Sequence, residues 1–183
     1  MVEIREGSYT ENLTVAAPSL YVRGAGKGKT SINGSMNIAG DSNSVYQIEK
    51  LTLQNSTSNG LRIMGTGMVL INKVEVLRHA GNGIDVRGSG AVVIKGSLVA
   101  GNTKGIRVAS SNLVDVTNSV IANNLSEGIE QLGTQMVGFG LIHSVVYNNG
   151  TDGLKVTVDF YNARFVIRNS IIMGNKGYGV SSV

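Results

Sequence analysis

VTNSVIANN (116–124) decides the fold, because variants of it recur along the chain. The other copies are INKVEVLRH (71–79), IKGSLVAGN (94–102), LIHSVVYNN (141–149) and IRNSIIMGN (167–175), spaced by 23, 22, 25 and 26 residues. A second frame runs in step, a glycine followed by an aliphatic residue: Gly60-Leu61, Gly83-Ile84, Gly105-Ile106, Gly128-Ile129, Gly153-Leu154 and Gly179-Val180. Extra turn residues at Gly133 to Gln135 and Asp159 to Asn162 absorb the longer later spacings. Each copy holds three short runs of alternating apolar residues with Asn, Ser and Gly between them, the period of a strand. Such a copy cannot bury its apolar side alone, but stacked copies can. The reading is all-β: a parallel β-helix with three short strands per coil and about eight coils, forming one domain over residues 1–183. That domain is expected either as the whole protein or as part of a longer one.

Stacking turns the repeat into columns. Val69, Val92, Val114, Phe139 and Phe165 form one inward column; Ile71, Ile94, Val116, Leu141 and Ile167 a second; Val76, Val99, Ile121, Val146 and Ile172 a third. Asn102, Asn124, Asn149 and Asn175 close the frames as a polar ladder, with His79 and Ser56 continuing it upstream. These asparagines are expected at a sharp left-handed corner, with amides bonding from coil to coil.

Two columns point outward. Two residues after each repeat glycine stand Arg62, Asp85, Arg107, Glu130 and Lys155, alternating in sign. In a parallel stack each charge lies about 5 Å from opposite neighbours. That arrangement is either a salt-bridge ladder that sets register or a groove facing a glycan. The second column is apolar, with Leu98, Val120, Val145 and Ile171 beside Ala100, Ala122, Tyr147 and Met173. Leu98, Val120, Tyr147, Ile171 and Met173 are the expected interface of a homo-oligomer, since a contiguous apolar face usually contacts something.

Composition narrows the function. The 183 residues include 25 Gly, one Pro and no Cys, which leaves no disulfide framework and no thiolate chemistry. Net charge is +4, without a basic run, and there is no Trp, so a nucleic-acid partner is not expected. No stretch has the ~20 apolar residues of a membrane helix. The alternating signs of the charged column argue against a metal site, and no cofactor is expected. His79 and His143 form no Ser/His/Asp set. GAGKGKT (24–30) ends like a phosphate loop, but Arg23 stands where the first glycine belongs, and SINGSMNIAG after it is no helix former.

The asparagine ladder and three-strand coil resemble the right-handed parallel β-helices of the pectin lyase-like superfamily. The opening strengthens the likeness. Gly7, Tyr9, Glu11, Asn12, Gly24, Gly26, Thr30, Ile32 and Gly34 match the first coils of pectin methylesterases and related β-helix proteins. On that resemblance GAGKGKT is a turn between two early coils. The enzyme motifs of the superfamily are missing. VDFYNAR (158–164) keeps only Asp159-Phe160 of the methylesterase segment, polygalacturonase motifs do not occur, and Tyr178-Gly179-Val180 lacks the aspartate and histidine of alginate epimerases. The expected function is a non-catalytic solenoid, carbohydrate-binding or structural, within an extracellular or surface protein. A polysaccharide-active enzyme of lyase, hydrolase or esterase type acting on an acidic glycan is the alternative, with Lys155 or an arginine as base. An adhesive, fibre-type oligomer is the third reading.

Overall fold

The computed structural model describes residues 1–109, 113–132, 138–157 and 164–182. Three parallel sheets of eight strands run the length of the molecule. Each coil contributes one strand to each sheet, so the chain is a right-handed parallel β-helix. In the fifth coil, for instance, Ala91–Lys95 lies in the first sheet, Leu98–Ala100 in the second and Ile106–Val108 in the third. Val69, Val92, Val114, Phe139 and Phe165 pair rung to rung, and the other two inward columns hold the same register. Short alternating runs fold this way because every second side chain enters the shared core while the others leave it. Phe139 and Phe165 stack with ring centroids 5.2 Å apart.

One core column breaks the apolar rule. Ile63, Val86, Val108, Gln131 and Val156 pair in sequence, and Gln131 is fully buried with neither end of its amide hydrogen-bonded among the described residues. A partnerless buried amide is destabilising.

From the third coil onward, two corners per coil use the left-handed region. The first holds Lys50, Lys73, Gly96, Asn118, His143 and Asn169; the second holds Asn55, Arg78, Gly101, Asn123, Asn148 and Gly174. The ladder asparagines therefore do not themselves supply the left-handed turn, as the sequence reading expected; the residue before each one does. Their role is hydrogen bonding. Asn124 Oδ1 accepts both the backbone N–H and the side-chain amide of Asn102, at 3.1 and 3.2 Å. Asn149 and Asn175 repeat the pattern one and two rungs on. Each Nδ2 also donates to a strand carbonyl, as Asn102 does to Val76 O at 3.1 Å. His79 fits the same slot: its Nδ1 accepts from Ser56 N–H (3.1 Å) and its Nε2 lies 3.1 Å from Leu53 O. Burial holds the His79 imidazole down at about 4, so the ring is neutral at ordinary pH.

The repeat glycine answers to this ladder. A Cβ on Gly83 would lie 2.7 Å from Asn102 Nδ2, and one on Gly128 2.7 Å from Asn149 Nδ2. The two sequence frames run in step because one leaves room for the other. A hydroxyl ladder accompanies them: Ser97, Ser119, Ser144 and Ser170 each accept the backbone N–H of the rung before.

GAGKGKT occupies a corner within the second coil, between Leu20–Gly24 and Thr30–Asn33, rather than a turn between two coils. Its groups serve the fold. Thr30 is buried, accepts from Ala25 N–H (2.9 Å) and donates to Arg5 O (3.0 Å), while Gly28, at φ +73°, donates its N–H to Thr52 Oγ1. Lys27 and Lys29 are exposed. The longer turns at 133–135 and 159–162, and Asp159-Phe160, lie outside the described residues.

Candidate functional site

Arg62, Asp85, Arg107, Glu130 and Lys155 sit on successive strands of the third sheet, each the middle residue of a three-residue strand, in continuous register. The flanking residues of each strand enter the core, so the middle one leaves it. Its carboxylates are not at the surface. Asp85 is fully buried, and Glu130 is 5% exposed. The cations lie over them.

Asp85 is the most heavily partnered. Arg87 Nε approaches Oδ2 at 2.8 Å, Arg107 Nη1 approaches Oδ1 at 3.2 Å, and Arg62 Nε stands 3.6 Å from Oδ2. Asn59 Nδ2 donates to Oδ2 at 2.9 Å. Glu130 pairs with Lys104 (2.5 Å) and, more loosely, with Arg107 Nε (3.6 Å). Lys155 was expected to pair with Glu130 one rung up. Its ion pair is instead with Glu127, at 3.9 Å, and Lys104 also reaches Glu127, at 3.2 Å. Burial pushes the Glu127 carboxyl up, but the Ser126 hydroxyl, a backbone N–H and Lys104 outweigh it and hold the group below its ordinary value.

Arg87, Lys104 and Glu127 are the members that the sequence reading missed. A signal existed. Asn59, Asn82, Lys104, Glu127 and Asp152 each precede a repeat glycine and form a column beside the charged one. Arg87 follows Asp85 by two residues, the spacing that returns a strand side chain to the same face.

Five cations and three carboxylates thus form one network with the acids underneath. Arg87, Arg62 and Lys155 keep 45%, 39% and 32% of their side chains in solvent. The rim that meets water is cationic.

The family described as "Right handed beta helix region" matches residues 34–183. The chain belongs to that family. Among curated proteins, no sequence matches this β-helix. Among solved structures, the catalytic domain of a GH87 alpha-1,3-glucanase variant in complex with tetrasaccharides is similar to it over 98% of this chain, with 11% sequence identity and a TM-score of 0.37. The β-helix spans 63% of that domain's chain.

The other predicted residues lie elsewhere. Asn102, Asn124 and Asn149 are buried in the ladder, and the last-rung Asn175 is half-buried. Leu98, Val120, Tyr147, Ile171 and Met173 do face outward on the second sheet, but Leu98 and Val120 are half-buried. On the outer face of the second sheet the exposed large apolar side chains are Tyr147, Ile171 and Met173, in the last two coils. On the first sheet, a depression of about 230 Å³ lies over Gly138 and Gly140, between Asp115, Ile142, Arg164 and Arg168. The missing side chains make it: a Cβ on Gly140 would stand 2.3 Å from Asp115 Oδ1. Among the described residues, no cluster of three His, Asp or Glu could hold a metal ion.

Proposed function

We propose that this chain is a non-catalytic β-helix module of a secreted or surface protein, and that the cationic rim of its third sheet binds an acidic polysaccharide. One observation carries this reading: in a column that alternates in sign, the carboxylates are buried and the guanidinium and ammonium groups face solvent. The strands repeat about every 4.8 Å, so the rim offers cations at intervals along an extended axis. A polyuronate carries carboxylates along its own axis and would meet them several at a time. The buried acids hold the cations in place and so reduce the ordering that binding requires. Each contact is weak in water, and their sum is sensitive to salt. The exposed Tyr147, Ile171 and Met173 support a lateral contact with a second chain in the same assembly.

Affinity electrophoresis tests the reading. Polygalacturonate should retard the protein in low salt, and roughly 0.5 M salt should abolish the retardation. Lys155→Gln and Arg62→Gln should each weaken it while thermal unfolding is little changed. No retardation in low salt, or equal retardation by a neutral glucan, would overturn it. A polysaccharide-active enzyme is the other reading, and the Asp115 depression is where its chemistry would be sought. Pectin, polygalacturonate and alginate should yield no unsaturated products or new reducing ends; turnover abolished by Asp115→Asn would establish the enzyme instead.

A further inference from the structure

The outer face of the first sheet is apolar in coils three to five. Met68 stacks on Val45, and Val93 on Leu70, all turned away from the core. Val45 and Met68 are 47% and 43% exposed, and Met64, just before that strand, is 50% exposed. Leu70, Ala91 and Val93 are half-buried. These coils lie inside the stack, with paired strands on both sides. An exposed apolar patch on an internal stretch of sheet usually contacts something.

The edge of that face is basic. Lys50 and Lys73 directly follow the strands Val45–Glu49 and Met68–Asn72 and turn the corner toward the second sheet, and Lys95 ends the strand Ala91–Lys95. Lys27 and Lys29 stand at the same corner one coil before Lys50. These lysines line about 14 Å of edge over four rungs. The corner itself does not ask for lysine. Lys50 and Lys73 take φ of 56° and 55°, which glycine or asparagine adopts at less cost and does adopt at Gly96, Asn118 and Asn169. Two lysines stacked there also set like charges on adjacent rungs, which the third sheet's column avoids. Nor do these lysines brace the fold by ion pairing. Among the described residues, no carboxylate stands within ion-pair distance of any of them. Glu49 is buried and engaged by Tyr21, Arg23 and Asn72, and Glu75 accepts the Thr52 hydroxyl at 2.8 Å. The ammonium groups are left for an outside partner.

An apolar face with an unpaired lysine edge fits one kind of surface. A soluble polyanion would meet the ammonium groups and leave Val45 and Met68 in water. The interface of an anionic bilayer takes both. Methyl and thioether groups enter the headgroup boundary, lysine stems lie along it, and lysine heads stay with the lipid phosphates. We infer that coils two to five dock on an anionic phospholipid surface through the outer face of the first sheet and its lysine corner. Among the described residues no helix is long and apolar enough to cross a bilayer, and the docked sheet lies on the membrane rather than spanning it. The lysine corner joins the first and second sheets, so the third, with its cationic rim, stays open to a glycan.

Cosedimentation with vesicles in low salt tests the inference. Vesicles of phosphatidylglycerol and phosphatidylcholine in equal parts should pellet the protein, pure phosphatidylcholine should not, and roughly 0.5 M salt should release most of it. Lys50→Gln, Lys73→Gln and Lys95→Gln together should weaken binding about a hundredfold, or about fivefold per lysine, with the thermal midpoint no lower. The chain has no cysteine, so Met68→Cys can carry a single polarity-sensitive dye, whose emission should shift to the blue on the anionic vesicles. Failure to pellet overturns the inference, as does equal pelleting by phosphatidylcholine alone. An equal loss from Arg62→Gln, on the third sheet, would show only the general attraction of a cationic protein and overturns it too. So does a dye at Met68 that stays in water on pelleted protein, the mark of a lysine contact without the apolar face. Self-association broken by Met68→Asp, in a chain that ignores vesicles, would assign the face to a second copy instead.

Discussion

Two polar columns run side by side along this molecule and solve the same problem differently. The asparagine ladder repeats one residue on four consecutive rungs. The charged column never repeats a sign between Arg62 and Lys155. An amide is donor and acceptor at once, so each asparagine satisfies the next and identical neighbours stabilise one another. A charged group offers only one half of a pair, and like charges on adjacent rungs repel. The neutral column can therefore be buried whole. The charged column must alternate, and it keeps its cations in solvent.

The comparison fails most visibly if the charged column is given two like neighbours. Asp85→Lys removes the partner of three arginines and puts a like charge among them, and it should cost about 3–5 kcal/mol in low salt. Part of that loss should return in high salt, when chemical denaturation is compared at two ionic strengths. A loss indifferent to salt would mean that Asp85 acts through packing. The matching break in the amide column is Asn124→Ala, which orphans the buried N–H of Asn102. About 2–3 kcal/mol should be lost, equally at both salt concentrations.

His79 sharpens the comparison with pH. Its folded value, about 4, lies below the ordinary 6.5 because burial disfavours the charged ring. The unfolded chain therefore takes up a proton first. Stability from this group is intact above pH 6.5 and drains away as pH falls toward 4. His79→Asn continues the ladder with a group that does not titrate. At pH 5 the variant should outlast the wild type by about 2 kcal/mol, with the gap closing by pH 7.5. A constant gap across that range would show that the ring's protonation is not the cause. Gln131 supplies the smallest test, an amide buried without the neighbours that make an amide cheap. Gln131→Val should raise stability by about 1–2 kcal/mol, read from the denaturation midpoint at unchanged m-value. A fall would mean that the amide has partners when the chain is in water.

Much of the fold was legible because a solenoid writes its contacts as a period. Neighbours in space are residues about one copy apart, so Val92 over Val69 and Asp85 over Arg62 could be read by counting. The family expectation rested on the asparagine ladder, the three-strand coil and opening residues such as Gly7, Asn12, Gly24 and Thr30. The candidate site was only half legible. Counting placed the charged column, but it could not say which side chain reaches which. Lys155 passes Glu130 for Glu127, and Lys104 bridges Glu127 and Glu130. Those choices depend on side-chain length and on how far the loop before each repeat glycine carries its residue over the strand.

The sequence by itself determined the coil, the three sheets, the inward columns and the alternation of sign, because each follows from a period of about 23 residues and an alternation of two. The tertiary structure alone decided which residue turns each corner, why the repeat glycine must be glycine, and that Asp85 and Glu130 lie beneath their cations. These depend on distances of a few tenths of an ångström between side chains from different coils. A Cβ that would sit 2.7 Å from an asparagine nitrogen, or an arginine that covers a carboxylate rather than standing beside it, leaves no mark in the order of residues.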